Sequence, residues 1–442
     1  MRLDRLIVGN YRSFATRRSI ELRPITLLDG WNNAGKSNLV RLLAMLGDSV
    51  LETSPGPIDT SRVVDQGGGF KSLLSRYITL AEDPETLQLG LGWDDGFTGE
   101  FDLRLESSGQ QRVDRIRCGT NDSDRIEFVA KRGTDFYVQE SPSILTQQSP
   151  AEVVSRSNQG GNAGRARGGS AGRARGGIAR RARGGAIDEV FLEFDGLVPR
   201  DARLVTLAER LRALRQTVQW LRAIRARPPR RFEPSGVRPP ILSPDGGNAV
   251  DVLVADDDVH RQVAQWFVEV TQRELLLPEE GRERRVLLRP MMTAMDIDFV
   301  DTGEGMAQAL PVLVAAAMSA TSKGPRVLAI EEPESHLHPR AQSKLASFLC
   351  KIGASEEPPV MVLETHSFAL LLGVQLAIAS GEIPADRVAL HWVDAARAQT
   401  ESTIETIEFD SFGRPQRDGA IPVFATESEL ANELAAKQSE AW

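Results

Sequence analysis

Residues 30 to 38 read Gly30-Trp31-Asn32-Asn33-Ala34-Gly35-Lys36-Ser37-Asn38, which fits the pattern G-x-x-x-x-G-K-[ST]. The pattern requires a buried strand before it and a helix after it. The apolar run Ile25-Thr26-Leu27-Leu28 supplies the strand, and Leu39 to Leu46 reads as the helix. Gly30 and Gly35 let the backbone wrap close to an anion, where a Cβ would obstruct. Successive backbone N–H groups, with Asn32, Asn33, Ala34 and Asn38 in the loop, then face phosphate oxygens at a helix N-terminus. Lys36 is expected to reach the β- and γ-phosphates, and the Ser37 hydroxyl to bind Mg²⁺. The expected ligands are ATP and Mg²⁺.

A chain of 442 residues holds two or three domains, or one large domain with insertions. The two cysteines, Cys118 and Cys350, lie far apart in sequence. They offer neither a disulfide framework nor a cysteine metal site, which suits a reducing cytoplasm. Met1 to Arg5 is charged rather than a leader, and the longest apolar run, Ala309 to Ala320, is too short to span a bilayer. A cytoplasmic protein without a membrane role is expected. The net charge of −8 hides an asymmetry. Between Arg156 and Arg231 stand 18 arginines and six acids, a net +12, so the rest carries −20. A basic middle on an acidic body suggests a local polyanion contact, with DNA as one candidate partner.

Along the chain, Leu3 to Tyr11 and Ser19 to Leu28 read as strands around a turn at Arg12-Ser13-Phe14. Alternating runs between residues 77 and 138 read as an antiparallel side sheet. Gly164 to Ala171 recurs almost unchanged at Gly172 to Ala179 and Arg180 to Ile187. Three copies at a period of eight, with almost no apolar content, cannot pack a core, so 156–187 reads as a disordered insertion. It is either an Arg/Gly tether for nucleic acid or a neutral repeat expansion. Arg200 to Arg225 reads as one helix with an apolar stripe and an arginine-rich face, stopped by Pro228-Pro229. A second helix is expected over Asp258 to Glu274, and a terminal one near Glu427 to Lys437.

A phosphate loop needs a metal-holding acid and a group that orients the attacking water. Arg326 to Ile330 is an apolar strand ending in Glu331-Glu332. Glu331 is expected to hold Mg²⁺ and Glu332 to act as general base. The next buried strand, Val360 to Leu363, leads through Glu364 to Thr365-His366-Ser367, where His366 can bond the γ-phosphate and the attacking water. The pair His336 and His338 lacks metal-ligand spacing and reads as a turn before a helix.

Asn10-Tyr11-Arg12-Ser13-Phe14, the Lys36-Ser37-Asn38 loop and Ile330 to Pro339 together resemble ABC-type ATPases of the SMC/RecF/OLD group. They look most like stand-alone bacterial relatives of the OLD proteins. The resemblance covers residues 1 to about 48 and 288 to 395. It implies an α/β P-loop head with an antiparallel side sheet and a helical, partly disordered insertion. Gly303-Glu304-Gly305-Met306-Ala307-Gln308 is similar to the group's degenerate signature, in which Gly303, Gly305 and Gln308 would meet the γ-phosphate bound by a second copy. Thr365-His366-Ser367 matches the H-loop, and Gln66 is the candidate Q-loop ligand for Mg²⁺. The sequence departs from the pattern at Glu331, where such proteins usually carry Asp, and at Ala307, where Ser is common.

On this resemblance the chain divides into an N-terminal ATPase lobe (1–150), the repeat insertion (156–187), a helical insertion (188–285) and a C-terminal ATPase lobe (286–442). About 75 residues follow His366, with no acidic cluster of the kind a TOPRIM nuclease needs. The expected function is an ATPase that forms a homodimer or higher oligomer around nucleotide and regulates a separate effector, a nuclease or toxin, in anti-phage defence. A RecF-like repair ATPase, a transporter motor and a nucleotide-binding scaffold with little turnover are the alternatives. The Arg/Gly repeat argues against the second of these readings, the Asn10 to Phe14 opening against the third, and Ala307 favours the last.

Overall fold

In a computed structural model, the described residues are 1–50, 56–61, 69–77, 80, 83–121, 123–130, 136–140, 201–293, 295–395, 401–416, 433 and 437, with 130 and 136–140 as backbone only. Gln66, the repeat insertion over 156–187 and most of the expected helix near 427–437 lie outside them.

The chain begins with β1 (Leu3–Gly9) and β2 (Arg18–Glu21), paired antiparallel. Ser19 to Leu28 is not one strand. β2 stops at Glu21, and Pro24, which has no N–H to donate, separates it from β3 (Ile25–Gly30) in another sheet. The phosphate loop follows, then α1 (Lys36–Ser49). β4 (Thr86–Trp93), β5 (Thr98–Leu105), β6 (Gln111–Gly119), β7 (Ile126–Ala130) and β8 (Phe136–Glu140) extend β1 and β2 into the expected antiparallel side sheet. Its order is β2-β1-β4-β5-β6-β7-β8.

The expected single helix over 200–225 is corrected. α2 (Ala202–Ala213), capped by the Asp201 side chain, ends early. Gln216 turns the chain at φ 54°, and β9 (Val218–Leu221) joins the sheet beside the acidic strand. A place in a buried parallel sheet overrides the helical spacing of Val218 and Leu221. The arginine face of α2 is engaged within the protein. Arg210 is buried on Asp95 and lies over the rings of Trp93 and Phe97, and Arg203 pairs with Asp201 and Asp124.

α3 (Ala249–Ala255) and α4 (Asp257–Thr271) follow. The small strands β10 (Arg273–Leu276), β11 (Glu279–Glu280), β12 (Glu283–Arg284), β13 (Leu287–Pro290) and β14 (Ile297–Asp298) come next. α5 (Glu304–Ser319) is apolar almost all round and buried from Ala307 to Ser319, as a core helix must be. It leads to β15 (Val327–Glu331), α6 (Pro339–Gly353), β16 (Val360–Glu364), α7 (Phe368–Ala379), β17 (Val388–Ala395) and β18 (Ser402–Ile407). Among the described residues no helix is long and apolar enough to cross a membrane.

The central sheet has the order β18-β17-β3-β16-β15-β9, parallel except for β18. β3, β15 and β16 are buried throughout, which is why they read as unbroken apolar runs. Alternate side chains serve opposite faces. Leu28, Val327, Ala329, Val360 and Val362 pack toward α1 and the side sheet. Ile25, Leu27, Leu328, Ile330, Met361 and Leu363 pack toward α3 to α7. The fold is the expected α/β P-loop head with an antiparallel side sheet. Its parallel strands deliver Gly30, Glu331 and Glu364 to one edge, the carboxyl end where such sheets bind ligands.

A candidate nucleotide site at the strand ends

At the end of β3, the Asp29 carboxylate accepts a 2.6 Å hydrogen bond from Gly30 N. Burial pushes its pKa up to about 6, against the pull of that bond and of Lys36. The chain then turns sharply. Gly30 has φ 139°, and a Cβ there would lie 1.9 Å from the Val393 carbonyl oxygen. Gly35 has φ 104°, with Ser13 Oγ where its Cβ would go. Asn10 to Phe14 forms the wall behind the loop. Ser13 Oγ donates to Ala34 O (3.2 Å), and Tyr11 Oη donates to Asn38 O (2.9 Å). Asn10 Nδ2 donates to Asp83 O and Thr86 O at the start of β4, tying this wall to the side sheet. Lys36 Nζ bridges the arch, donating to Gly30 O (2.8 Å) and Trp31 O (2.9 Å). Burial lowers its pKa, partly countered by Glu364, Asp29 and Glu332.

The loop opens into a cavity of about 570 Å³. Asn32, Asn33, Gly35, Lys36, Ser37 and Asn38 line one side, and Arg41, Glu332, Glu364 and His366 the other. Six of the expected loop residues thus meet the expected base and the expected histidine. Glu332 takes the left-handed conformation at φ 42°. Its N–H donates to Glu364 O (2.8 Å), and its Oε2 accepts from Ser335 Oγ (2.8 Å). A non-glycine residue held there is strained, a state that persists where the surroundings fix it. His366 is exposed at the cavity rim; partial desolvation and the Lys36 charge lower its pKa, against the pull of Glu332. The buried Glu334 carboxylate accepts from Thr365 Oγ1 (2.7 Å) and His366 N (3.1 Å), which fixes the histidine turn against the turn after β15. His338 caps α6 through its Nδ1, which accepts from Arg340 N.

Glu331, the expected metal-holding acid, ends β15, and β16 lies between that strand and β3. Its carboxylate accepts from Arg41 Nε (2.7 Å) and Nη2 (3.0 Å), and from Trp220 Nε1 (3.2 Å). Glu364, at the end of β16, accepts from Ser37 Oγ at 2.6 Å instead. Burial pushes its pKa up to about 7. The signal was present in the sequence, because Glu364 ends a buried strand just as Glu331 does.

The expected signature residues also separate. Gly303 precedes α5 with open space where a Cβ would stand. Gly305 packs against the backbone of His336, whose oxygen a Cβ would meet at 2.3 Å. Gln308 is buried. Its Oε1 accepts from Arg225 N (2.8 Å), and its Nε2 donates to Arg225 O and Glu304 Oε1, both at 2.9 Å. Ala307 is buried as well. Gly305 and Gln308 therefore hold α5 inside the chain, and Gly303 alone of the three has open space beside it among the described residues. Arg225 completes the arrangement, with Nη2 donating to the carbonyls of Glu331 and Glu332 (3.1 Å for the latter). Burial lowers its pKa from 12.5 to about 10, against the attraction of Glu334, Glu332 and Glu331.

A family described as "AAA domain, putative AbiEii toxin, Type IV TA system" matches residues 225–373. That stretch opens on Arg225 and takes in α5, β15, β16 and His366; the Lys36 loop lies outside it. Among solved structures, the SMC head domain from Thermotoga maritima is similar at 12% identity and a TM-score of 0.40, over 92% of this chain and 98% of that one. No curated protein matches the chain. The matched family and the loop geometry together support a nucleotide-binding P-loop ATPase.

Proposed function

We propose that this chain binds MgATP and hydrolyses it, that two or more copies assemble around the nucleotide, and that the assembly regulates a separate effector in bacterial anti-phage defence. The cavity that joins the Lys36 loop to Glu332 and His366 carries the reading. In it the loop N–H groups and Lys36 would bind the triphosphate. Glu332 would take a proton from the attacking water, and His366 would orient that water beside the γ-phosphate. A bound magnesium ion would neutralise the β- and γ-phosphates. Ser37 suits it, together with a carboxylate at the strand ends, where the buried Glu364 Oε2 has no partner among the described residues.

The open Gly303 supports a second copy approaching α5. The toxin and the TA system named in the matched family's description accord with a defence role. A soluble cytoplasmic setting accords with the two unpaired cysteines, both buried.

Glu332→Gln tests the reading. The variant should bind ATP, release no phosphate, and elute with ATP as a dimer or larger species by light scattering. Wild-type turnover in this variant would remove Glu332 from the role of base. A strictly monomeric variant with ATP bound would remove the assembly.

A further inference from the structure

We infer that Glu364, and not Glu331, is the carboxylate that joins Ser37 in holding the divalent cation of the nucleotide. The inference rests on the ATP-binding reading of the same site. It starts from three observations, each independent of the motif pattern.

The first is contact. Glu364 Oε1 accepts from Ser37 Oγ at 2.6 Å, and both residues line the phosphate cavity. A serine hydroxyl and a carboxylate at this separation are two hard oxygen donors on one side of one site, which is what Mg²⁺ takes alongside phosphate oxygens and water.

The second is an orphan atom. Glu364 is 5% exposed, and its Oε2 has no hydrogen-bond partner among the described residues. A buried carboxylate oxygen without a donor is costly, and such groups in native proteins are paired or bind metal. The neighbouring charges are arranged accordingly. Lys36 is the nearby cation, but its ammonium is held by the carbonyls of Gly30 and Trp31.

The third is that Glu331 is already engaged. Both of its oxygens accept from the Arg41 guanidinium, and Oε1 also accepts from the Trp220 indole. To bind a cation it would have to release a two-point ion pair and leave the buried Trp220 N–H unpaired. The strand order explains the difference. β16 is the immediate neighbour of β3, and the register sets Glu364 beside Leu28 at the threshold of the loop. Glu331 then has another task. It fixes Arg41, which lines the cavity, and so acts as a positioning residue for a cation facing the phosphates.

The test uses the full chain, a fluorescent ATP analogue with and without Mg²⁺, and Mn²⁺ as a paramagnetic probe read by electron spin resonance. Wild type should bind the analogue more tightly with Mg²⁺ than in EDTA. In Glu364→Gln, which is isosteric, metal-free affinity should be retained. Its Mn²⁺ affinity in the presence of nucleotide should fall roughly 10–100-fold, the loss expected when a metal site is disrupted. Glu364→Asp should recover part of that loss, because it restores the charge.

Glu331→Gln should lose far less Mn²⁺ affinity than Glu364→Gln, since it removes no ligand. The reverse pattern, with Mn²⁺ lost in a folded Glu331→Gln and kept in Glu364→Gln, would overturn the inference. The Glu331→Gln arm decides the matter even if Glu364→Gln fails to fold. A wild-type chain that binds no analogue in either condition would instead refute the underlying ATP reading.

Discussion

Arg225→Met separates the contribution of one buried guanidinium to stability from its contribution to turnover. The substitution removes the charged hydrogen bonds to Glu331 O and Glu332 O, each worth about 1.5–3 kcal/mol, so about 3–6 kcal/mol together. It also removes the cost of burying the charge. A pKa lowered from 12.5 to about 10 measures that cost at about 3 kcal/mol. The net destabilisation should therefore be modest, about 0–3 kcal/mol in urea unfolding.

The local effect has no such offset. Glu332 stands at φ 42°, and Arg225 is the side chain that holds its carbonyl. Released, the residue can relax toward an unstrained conformation, and a shift near 1 Å at a reacting group costs about 100-fold in rate. Phosphate release should fall by that order. Affinity for a fluorescent ATP analogue should stay near wild type, because Arg225 does not line the cavity. Turnover within about threefold of wild type, together with the predicted loss of stability, would refute the claim that Arg225 sets the geometry of Glu332. A parallel loss of nucleotide affinity would refute the separation of roles.

The two glycines of the α5 turn should behave differently. Gly305→Ala drives a Cβ into His336 O and should cost about 1–3 kcal/mol in thermal unfolding. Gly303→Ala meets nothing within 4 Å and should cost less than about 1 kcal/mol, so any large loss of turnover there reports on a second copy. Asp29→Asn should change the pH dependence of stability. Below pH 3.8 the Asp29 carboxyl is protonated in both states, whereas between 3.8 and about 6 only the folded chain keeps the proton. The stabilisation is therefore complete at low pH and lost as pH rises through 6. Relative to wild type, the Asn variant should gain about 2 kcal/mol between pH 4 and pH 8 in paired urea titrations.

The features legible in the sequence are local ones. Gly30 to Asn38 specifies its own turn, and the runs before Gly30, Glu331 and Glu364 are apolar because both faces of their strands are buried. The side sheet announces itself by alternation. What could not be read is non-local. Nothing in the order of segments says that β16 lies between β3 and β15, or that Glu364 bonds Ser37 while Glu331 bonds Arg41. Val218 to Leu221 fits a helical stripe as well as a strand, and only the open edge of β15 decides. Gly305 and Gln308 sit in a recognisable motif, yet their partners, His336 and Arg225, are distant in sequence.

The turn behind the phosphate loop couples the side sheet to that loop. Tyr11 and Ser13 fasten it to the loop carbonyls at Asn38 and Ala34, and Asn10 fastens it to the backbone where β4 begins. Gly35 leaves no slack between loop and turn, because Ser13 and Phe14 fill the space a side chain would occupy. The side sheet and the loop are therefore joined through one tightly packed turn.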